Sequence, residues 1–271
     1  MRPEEIEAFY SRANEDILAD GRLPSLHQEL LAALEAGSVR AARRNGGGEW
    51  EPCPWVKRAI LCGFRFSRIE PFEAWPGGAR DKAAYPPRAF GDDEGVRLVP
   101  GGSAVRRGAF IGRGVVVMPP AYVNVGAYVG AGTMVDSHAL VGSCAQIGEG
   151  VHLSAGVQVG GVLEPEGARP VVVEDGAFIG ALSGLLEGAV VRSRAVLAPG
   201  VIITASTAIY DLARGRELRG EVPEGAVVVP GSRPARGDYA AALGIRLYAP
   251  CVVKYRDGKT DAATLLEEAL R

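Results

Sequence analysis

A chain of 271 residues, 47% hydrophobic and with a formal net charge of -2 at pH 7, has the composition of an ordinary soluble protein and room for a repeat domain with smaller flanking domains. That charge balance gives no general attraction to nucleic acid or to an anionic membrane. The acidic, polar start MRPEEIEAFY does not read as a signal peptide, and no segment approaches about 18 uninterrupted apolar residues, so a cytoplasmic protein without a membrane partner is expected.

Residues 2–37 predict two helices. Ile6, Phe9, Ile17 and Leu18 mark the first; Ser25 is the expected N-cap of the second, which carries Leu26, Leu30, Leu31 and Leu34 and ends near Gly37. A third helix begins around Pro54 and presents Trp55, Ile60 and Leu61. Residues 66–103 lack sustained periodicity and contain several Pro and Gly, so they read as an irregular bridge, and 1–103 are expected to form a helical domain plus that bridge.

From 104 to 211 aliphatic residues keep a strict six-residue interval. Val105, Ile111, Val117, Val123, Val129, Val135, Val141, Ile147, Leu153 and Val159 form one series; Val173, Ile179, Leu185, Val191, Leu197, Ile203 and Ile209 form another. Four positions after nearly every anchor stands a small or β-branched residue such as Ala109, Ala127, Thr133, Ala145 or Ser183. A period of six fits neither a helix nor a hairpin meander; it is the signature of a parallel β-helix of hexapeptide repeats, in which three units complete a coil. About six coils are expected, with the anchors inside and the small residues at the corners. Glycine often follows the anchor, as in Gly112, Gly130, Gly142, Gly148, Gly160 and Gly180, where unusual backbone angles are expected. The fold class is thus mainly β, and short hexapeptide coils resemble the left-handed kind, although the register alone does not set the hand.

The interval slips once, between Val159 and Val173. The intervening GGVLEPEGARP is expected to leave the coil as a loop near 161–170, either as a binding loop or as a tolerated insertion. After Ile209 the hexads end. Residues 212–271 read as a short C-terminal extension in which VPEGAVVVPGSRP makes a last rung and turn, and Asp261 caps a helix bearing Leu265, Leu266 and Leu270.

No phosphate-binding loop, zinc-protease motif, nucleophile elbow or metal-spaced cysteine set is present, and nothing calls for a metal. Cys53, Cys62, Cys144 and Cys251 form no CxxC pair and read as reduced structural thiols. Within the coil the candidates for chemistry are Asp136 and His138 of TMVDSHALVGSCAQIG. By their place after the anchor Val135 both lie at or outside the wall, where a carboxylate and an imidazole can share a cleft or be merely solvated.

The stretch from Val105 to Asp211, with MVD, VGSCAQIG, VHLS and GGVLEP, closely resembles the tetrahydrodipicolinate N-succinyltransferase family. Weaker likeness runs outward through WVKRAILCGFRF and EGVRLVP on one side and VPEGAVVVPGS and VVKYRDGKT on the other. The resemblance implies a homotrimer with active sites in the grooves between left-handed β-helices. It also implies transfer of succinyl from succinyl-CoA, a cosubstrate rather than a bound cofactor, to the amine of L-2-amino-6-oxopimelate in lysine and diaminopimelate synthesis. By the same resemblance Asp136 matches the catalytic aspartate, and Arg97 matches an arginine that holds an acceptor carboxylate, a task suited to a planar bidentate fork. Gly160 and Gly161 of the loop would lie against the pantetheine arm, and Lys254 and Lys259 are candidate phosphate partners.

Two positions depart from the family pattern. Where the family typically reads GARSEVVEG, this chain reads GALSGLLEG, with Gly184 in place of a catalytic glutamate and Leu182 in place of an arginine; Glu187 matches a different glutamate. His138 stands where the family usually has tryptophan. An unperturbed imidazole titrates near 6.5 and an unperturbed aspartate near 3.9, so His138 is a candidate to have taken over proton transfer. The competing expectations are a pocket reshaped for another acceptor or acyl-CoA, and a trimer that binds ligand without turnover.

Overall fold

The computed structural model describes residues 2–73 and 78–257. The N-terminal part holds α1 (Pro3–Tyr10), α2 (Asn14–Ala19), α3 (Leu23–Glu35) and α4 (Pro54–Phe66). The single helix expected over the first twenty residues is therefore two. Ser11 ends α1, its backbone N–H and hydroxyl both donating to the Glu7 carbonyl, and the Arg12 guanidinium bridges the turn to Asp20. Ser25 does not cap α3: the helix has already begun at Leu23 with proline in its first turn, and the Ser25 hydroxyl donates back to the Arg22 carbonyl. Ile6, Phe9, Ile17, Leu26, Leu30, Leu31, Leu34, Val56 and Ile60 meet in one core, and Val125 and Cys144 of the coil belong to the same cluster, so the helices are docked on the coil rather than tethered to it.

At the centre of that core His27 is fully buried, 3.3 Å from the Tyr10 hydroxyl and edge-on to the rings of Phe66 and Tyr85. Burial, helped by the positive charge of Arg107, pushes its pKa from the ordinary 6.5 down to about 4. The unfolded chain takes up this proton near pH 6.5 and the folded chain only near 4. The contribution to stability is therefore complete above pH 6.5 and is lost as the pH falls towards 4, amounting to about 3 kcal/mol. Urea unfolding at pH 7 and pH 4.5 is expected to show a smaller pH-dependent loss in His27→Gln than in the wild type; equal losses would refute this account.

The bridge is more ordered than its composition suggests. Ile69–Phe72 pairs antiparallel with Ala79–Lys82, and Arg97–Leu98 is already a rung, pairing in parallel with Val116–Val117. The parallel ladder thus starts before residue 104. It went unseen because Arg97–Leu98 belongs to no run of hexads.

From there the chain visits three parallel ladders in turn, named here by a central residue. The Tyr128 face stacks Phe110–Ile111, Tyr128–Val129, Gln146–Ile147, Val172–Val173, Val190–Val191 and Glu221–Val222. The Met134 face stacks Arg97–Leu98, Val116–Val117, Met134–Val135, His152–Leu153, Phe178–Ile179, Val196–Leu197 and Ala226–Val229. The Leu140 face stacks Ala104–Val105, Tyr122–Val123, Leu140–Val141, Gln158–Val159, Gly184–Leu185 and Ile202–Ile203. This is a three-sided parallel β-helix. Tyr128 pairs with Gln146 one coil on, but Gln146 pairs with Val172, 26 residues on instead of 18, so eight residues leave the coil after Val159. Every anchor of both series faces the interior and is buried, and each contributes about 1.5–3 kcal/mol of apolar burial.

The glycines after the anchors serve a different purpose from the one expected. The left-handed backbone angles fall two positions later, at Gly108, Gly126, Gly132 and Gly156 and also at His138, Cys144, Leu182 and Arg194. Glycine follows the anchor because coils are close there: a Cβ on Gly130 would lie 2.5 Å from the Gly148 carbonyl carbon.

The top of the coil is closed by a hairpin, Ala208–Asp211 with Arg216–Arg219, and by Cys251–Tyr255, which runs antiparallel to Ala226–Val229 and covers its edge. Between them Ser232–Pro234 and Arg246–Tyr248 form a second hairpin with the short helix α5 (Asp238–Ala242) at its tip. The helix expected from Asp261 lies outside the described residues. No described helix is long and apolar enough to cross a membrane. All four cysteines are unpaired; Cys144 is fully buried and burial raises its thiol pKa to about 12, leaving it a poor nucleophile.

Candidate active site

Asp136, Ser137 and His138 make the corner between the Met134 and Leu140 faces. The Asp136 backbone N–H donates to the Leu153 carbonyl at 2.9 Å, and its carboxylate Oδ1 accepts the Ser137 N–H at 2.7 Å, so the side chain is held on the outer wall, half-buried. His138 is exposed and takes a φ of 61°. Its N–H donates to the Pro120 carbonyl one coil below, and its carbonyl accepts from Gln158 Nε2 at 3.1 Å. Equivalent corner positions in successive coils are Pro120, His138, Gly156, Leu182 and Gly200. Leu182, also at positive φ and 72% exposed, leans over Gly156, where a Cβ would lie 2.7 Å from its Cδ2. A non-glycine residue with positive φ is uncommon, and this corner keeps two of them, one imidazole and one leucine.

The Leu140 face runs from this corner to the next, and its outward column is Tyr122, Leu140, Gln158, Gly184 and Ile202. Gly184 is buried between Gln158 and Ile202. A Cβ there would lie 3.0 Å from Ile202 Cδ1, the end of a flexible side chain, so a larger residue is crowded but not barred by backbone.

The far edge of the same face is the corner that ejects the loop. The Gly160 N–H donates to the Leu185 carbonyl, and Gly161 passes over Ser143, the next loop N–H, that of Val162, donating to the Ser143 carbonyl. The loop is gripped from the helical domain. Lys57 of α4, wholly buried, donates through Nζ to the Ala168 carbonyl; Arg58 pairs with Glu166 at 3.0 Å; Leu163 packs on the helical core. Burial pushes the Lys57 ammonium below its usual pKa. On the loop's other side lies a groove of about 540 Å³ bordered by Trp50, Gly161, Arg169, Glu187 and Ala205.

Arg97 is exposed on the lowest rung of the Met134 face. It is two ladder steps below Met134 and displaced along the strand from Asp136, roughly 12 Å away between Cα atoms. Lys254 is exposed near the top of that face, paired with Asp257 at 3.3 Å and roughly 24 Å above Met134. Lys259 lies outside the described residues. Within one chain, then, Asp136 and His138 share a corner and Arg97 a face with them, whereas Gly160 and Gly161 stand across the Leu140 face. Reading the sequence missed Lys57 and Arg58. Nothing in the periodicity of α4 separates a buried lysine from a solvated one.

A β-helix of hexapeptide rungs with a loop thrown out at one corner and a carboxylate and an imidazole at the next places the chain among the hexapeptide-repeat proteins. The N-terminal family model of tetrahydrodipicolinate N-succinyltransferase matches residues 3–66. Proteins named 2,3,4,5-tetrahydropyridine-2,6-dicarboxylate N-succinyltransferase are 43% identical over 270 residues in Afipia carboxidovorans, covering 97% of this chain and 95% of that protein, and 46% identical over 277 residues in Aromatoleum aromaticum, covering 98% and 96%. This chain belongs to the tetrahydrodipicolinate N-succinyltransferase family. A solved Campylobacter jejuni structure, described as a candidate 2,3,4,5-tetrahydropyridine-2-carboxylate N-succinyltransferase, shares the fold at a TM-score of 0.52 and 17% identity, covering 83% of this chain and 62% of its own.

Proposed function

We propose that the protein transfers succinyl from succinyl-CoA to the amine of ring-opened tetrahydrodipicolinate in lysine and diaminopimelate synthesis, acting in the cytoplasm as a homotrimer of left-handed β-helices. The observation that carries this reading is the placement of Asp136 and the ejected loop at opposite edges of the Leu140 face. A second copy packed along that face brings the loop of one chain towards the Asp136 corner of the next, which a single chain cannot do for itself.

The acceptor's ammonium gives its proton to the Asp136 carboxylate or to His138. The free amine attacks the thioester carbonyl; as the C–S bond breaks the nitrogen gives up its second proton, and the departing coenzyme A thiolate takes up one proton to leave as the thiol. Arg97 holds an acceptor carboxylate; Gly160 and Gly161 lie against the pantetheine arm; Lys254 and Lys259 meet coenzyme A phosphates.

The test is to mix purified protein with succinyl-CoA and freshly generated tetrahydrodipicolinate and follow thiol release and product mass. Formation of the N-succinyl product is expected. Protein that binds succinyl-CoA yet releases no thiol with this acceptor would overturn the reading and direct the search to other acceptors.

A further inference from the structure

The ejected loop has two sides. One borders the 540 Å³ groove; the other is fastened to α4, an element that contributes none of the groove's lining residues. Three ties hold it there: Leu163 in the helical core, Arg58 to Glu166, and Lys57 to the Ala168 carbonyl. The last is the informative one. Burying an ammonium is costly unless its donors are used, and an aliphatic side chain would fill the same space beside Cys144 without that cost. Here the single backbone carbonyl that Lys57 meets belongs to the loop, 111 residues away in sequence. Arg58 repeats the pattern one residue on, from a half-exposed position to a loop carboxylate 108 residues away. Adjacent residues on one helix, both reaching the same short loop, fix its distance from the coil.

We propose that Lys57 and Arg58 are positioning residues for the acyl donor: they hold the loop against α4 and so set the width of the groove in which the acyl-CoA arm lies. The inference rests on the reading that the loop contacts the pantetheine arm. Neither residue touches substrate. Both act through the loop backbone, and their loss changes how well the donor binds rather than how fast bound donor reacts.

Lys57→Met keeps the length of the side chain and removes the donor. It is expected to raise KM for succinyl-CoA about tenfold while kcat and the acceptor KM stay within about twofold, because the chemistry at the Asp136 corner is untouched. Amide exchange over residues 161–170 should accelerate at the same time. The Arg58 pair supplies a test that does not disturb the core: Arg58→Glu and Glu166→Arg should each raise KM for succinyl-CoA, and the double exchange should restore it. A control chain with residues 163–168 replaced by glycine and serine separates the two levels of the argument. If this control raises KM for succinyl-CoA while Lys57→Met and both Arg58 and Glu166 variants leave it unchanged, the positioning role is overturned and the loop reading stands. If the control also leaves KM unchanged, residues 163–168 do not set the width of the donor groove and the proposal falls, whatever Gly160 and Gly161 contact.

Discussion

Replacing Asp136 with asparagine is expected to lower kcat for succinyl transfer by a factor of about 10²–10⁴, with KM for succinyl-CoA within about twofold of the wild type. Asparagine is the informative substitution because its side-chain oxygen can still accept the Ser137 N–H that holds Asp136 Oδ1 at 2.7 Å, so the corner keeps its shape and only the charge and basicity are lost. Steady-state kinetics at fixed pH would decide the matter, and retention of more than about a tenth of the wild-type kcat would exclude Asp136 from the chemical step. His138→Gln measured alongside apportions the proton transfer. Glutamine cannot act as the base, so unchanged turnover in that variant would remove the imidazole from the mechanism and leave the aspartate alone. The comparison matters here because Gly184 offers no side chain on the neighbouring face, and His138 is the nearest titratable group along the chain to Asp136.

The coil was legible because its physics is one-dimensional. A residue's place relative to the anchor decides whether it faces in or out, and that place can be counted from Val105 to Val159 and again from Val173 to Ile209 without knowing any long-range contact. Outside the hexad series the sequence showed less. Arg97–Leu98 and Glu221–Val222 are rungs that only the ladder itself reveals, whereas the last rung expected in VPEGAVVVPGSRP is there as Ala226–Val229. The glycines were placed correctly but explained wrongly. Their absent Cβ makes room for the next coil at Gly130, a distance that no single unit contains. The candidate site divides in the same way. Asp136 and His138 follow an anchor and could be put on the wall by counting. The grip of Lys57 on Ala168 depends on how a helix from the first quarter of the chain docks on a loop from the third, which no local pattern encodes.

Two adjacent isoleucines allow the inside-out rule to be measured with chemistry held constant. Ile203 is wholly buried in the column below the Leu140 face, paired in register with Leu185, while Ile202 points outward and is 39% exposed. Ile203→Ala is expected to cost about 2–5 kcal/mol, since it removes three carbons from a close-packed interior whose neighbours belong to rigid coils and cannot collapse into the space. Ile202→Ala should cost less than about 1 kcal/mol. The hydrogen bond at that residue runs from its backbone N–H to the Tyr248 hydroxyl and survives truncation of the side chain. Urea unfolding at one fixed protein concentration makes the comparison clean even if subunit association contributes to both values. Similar costs at the two positions would mean that the rung does not sit in the register described. Because a shift of one residue exchanges the two faces of a strand, that result would also move Gly184 from the outward column to the interior.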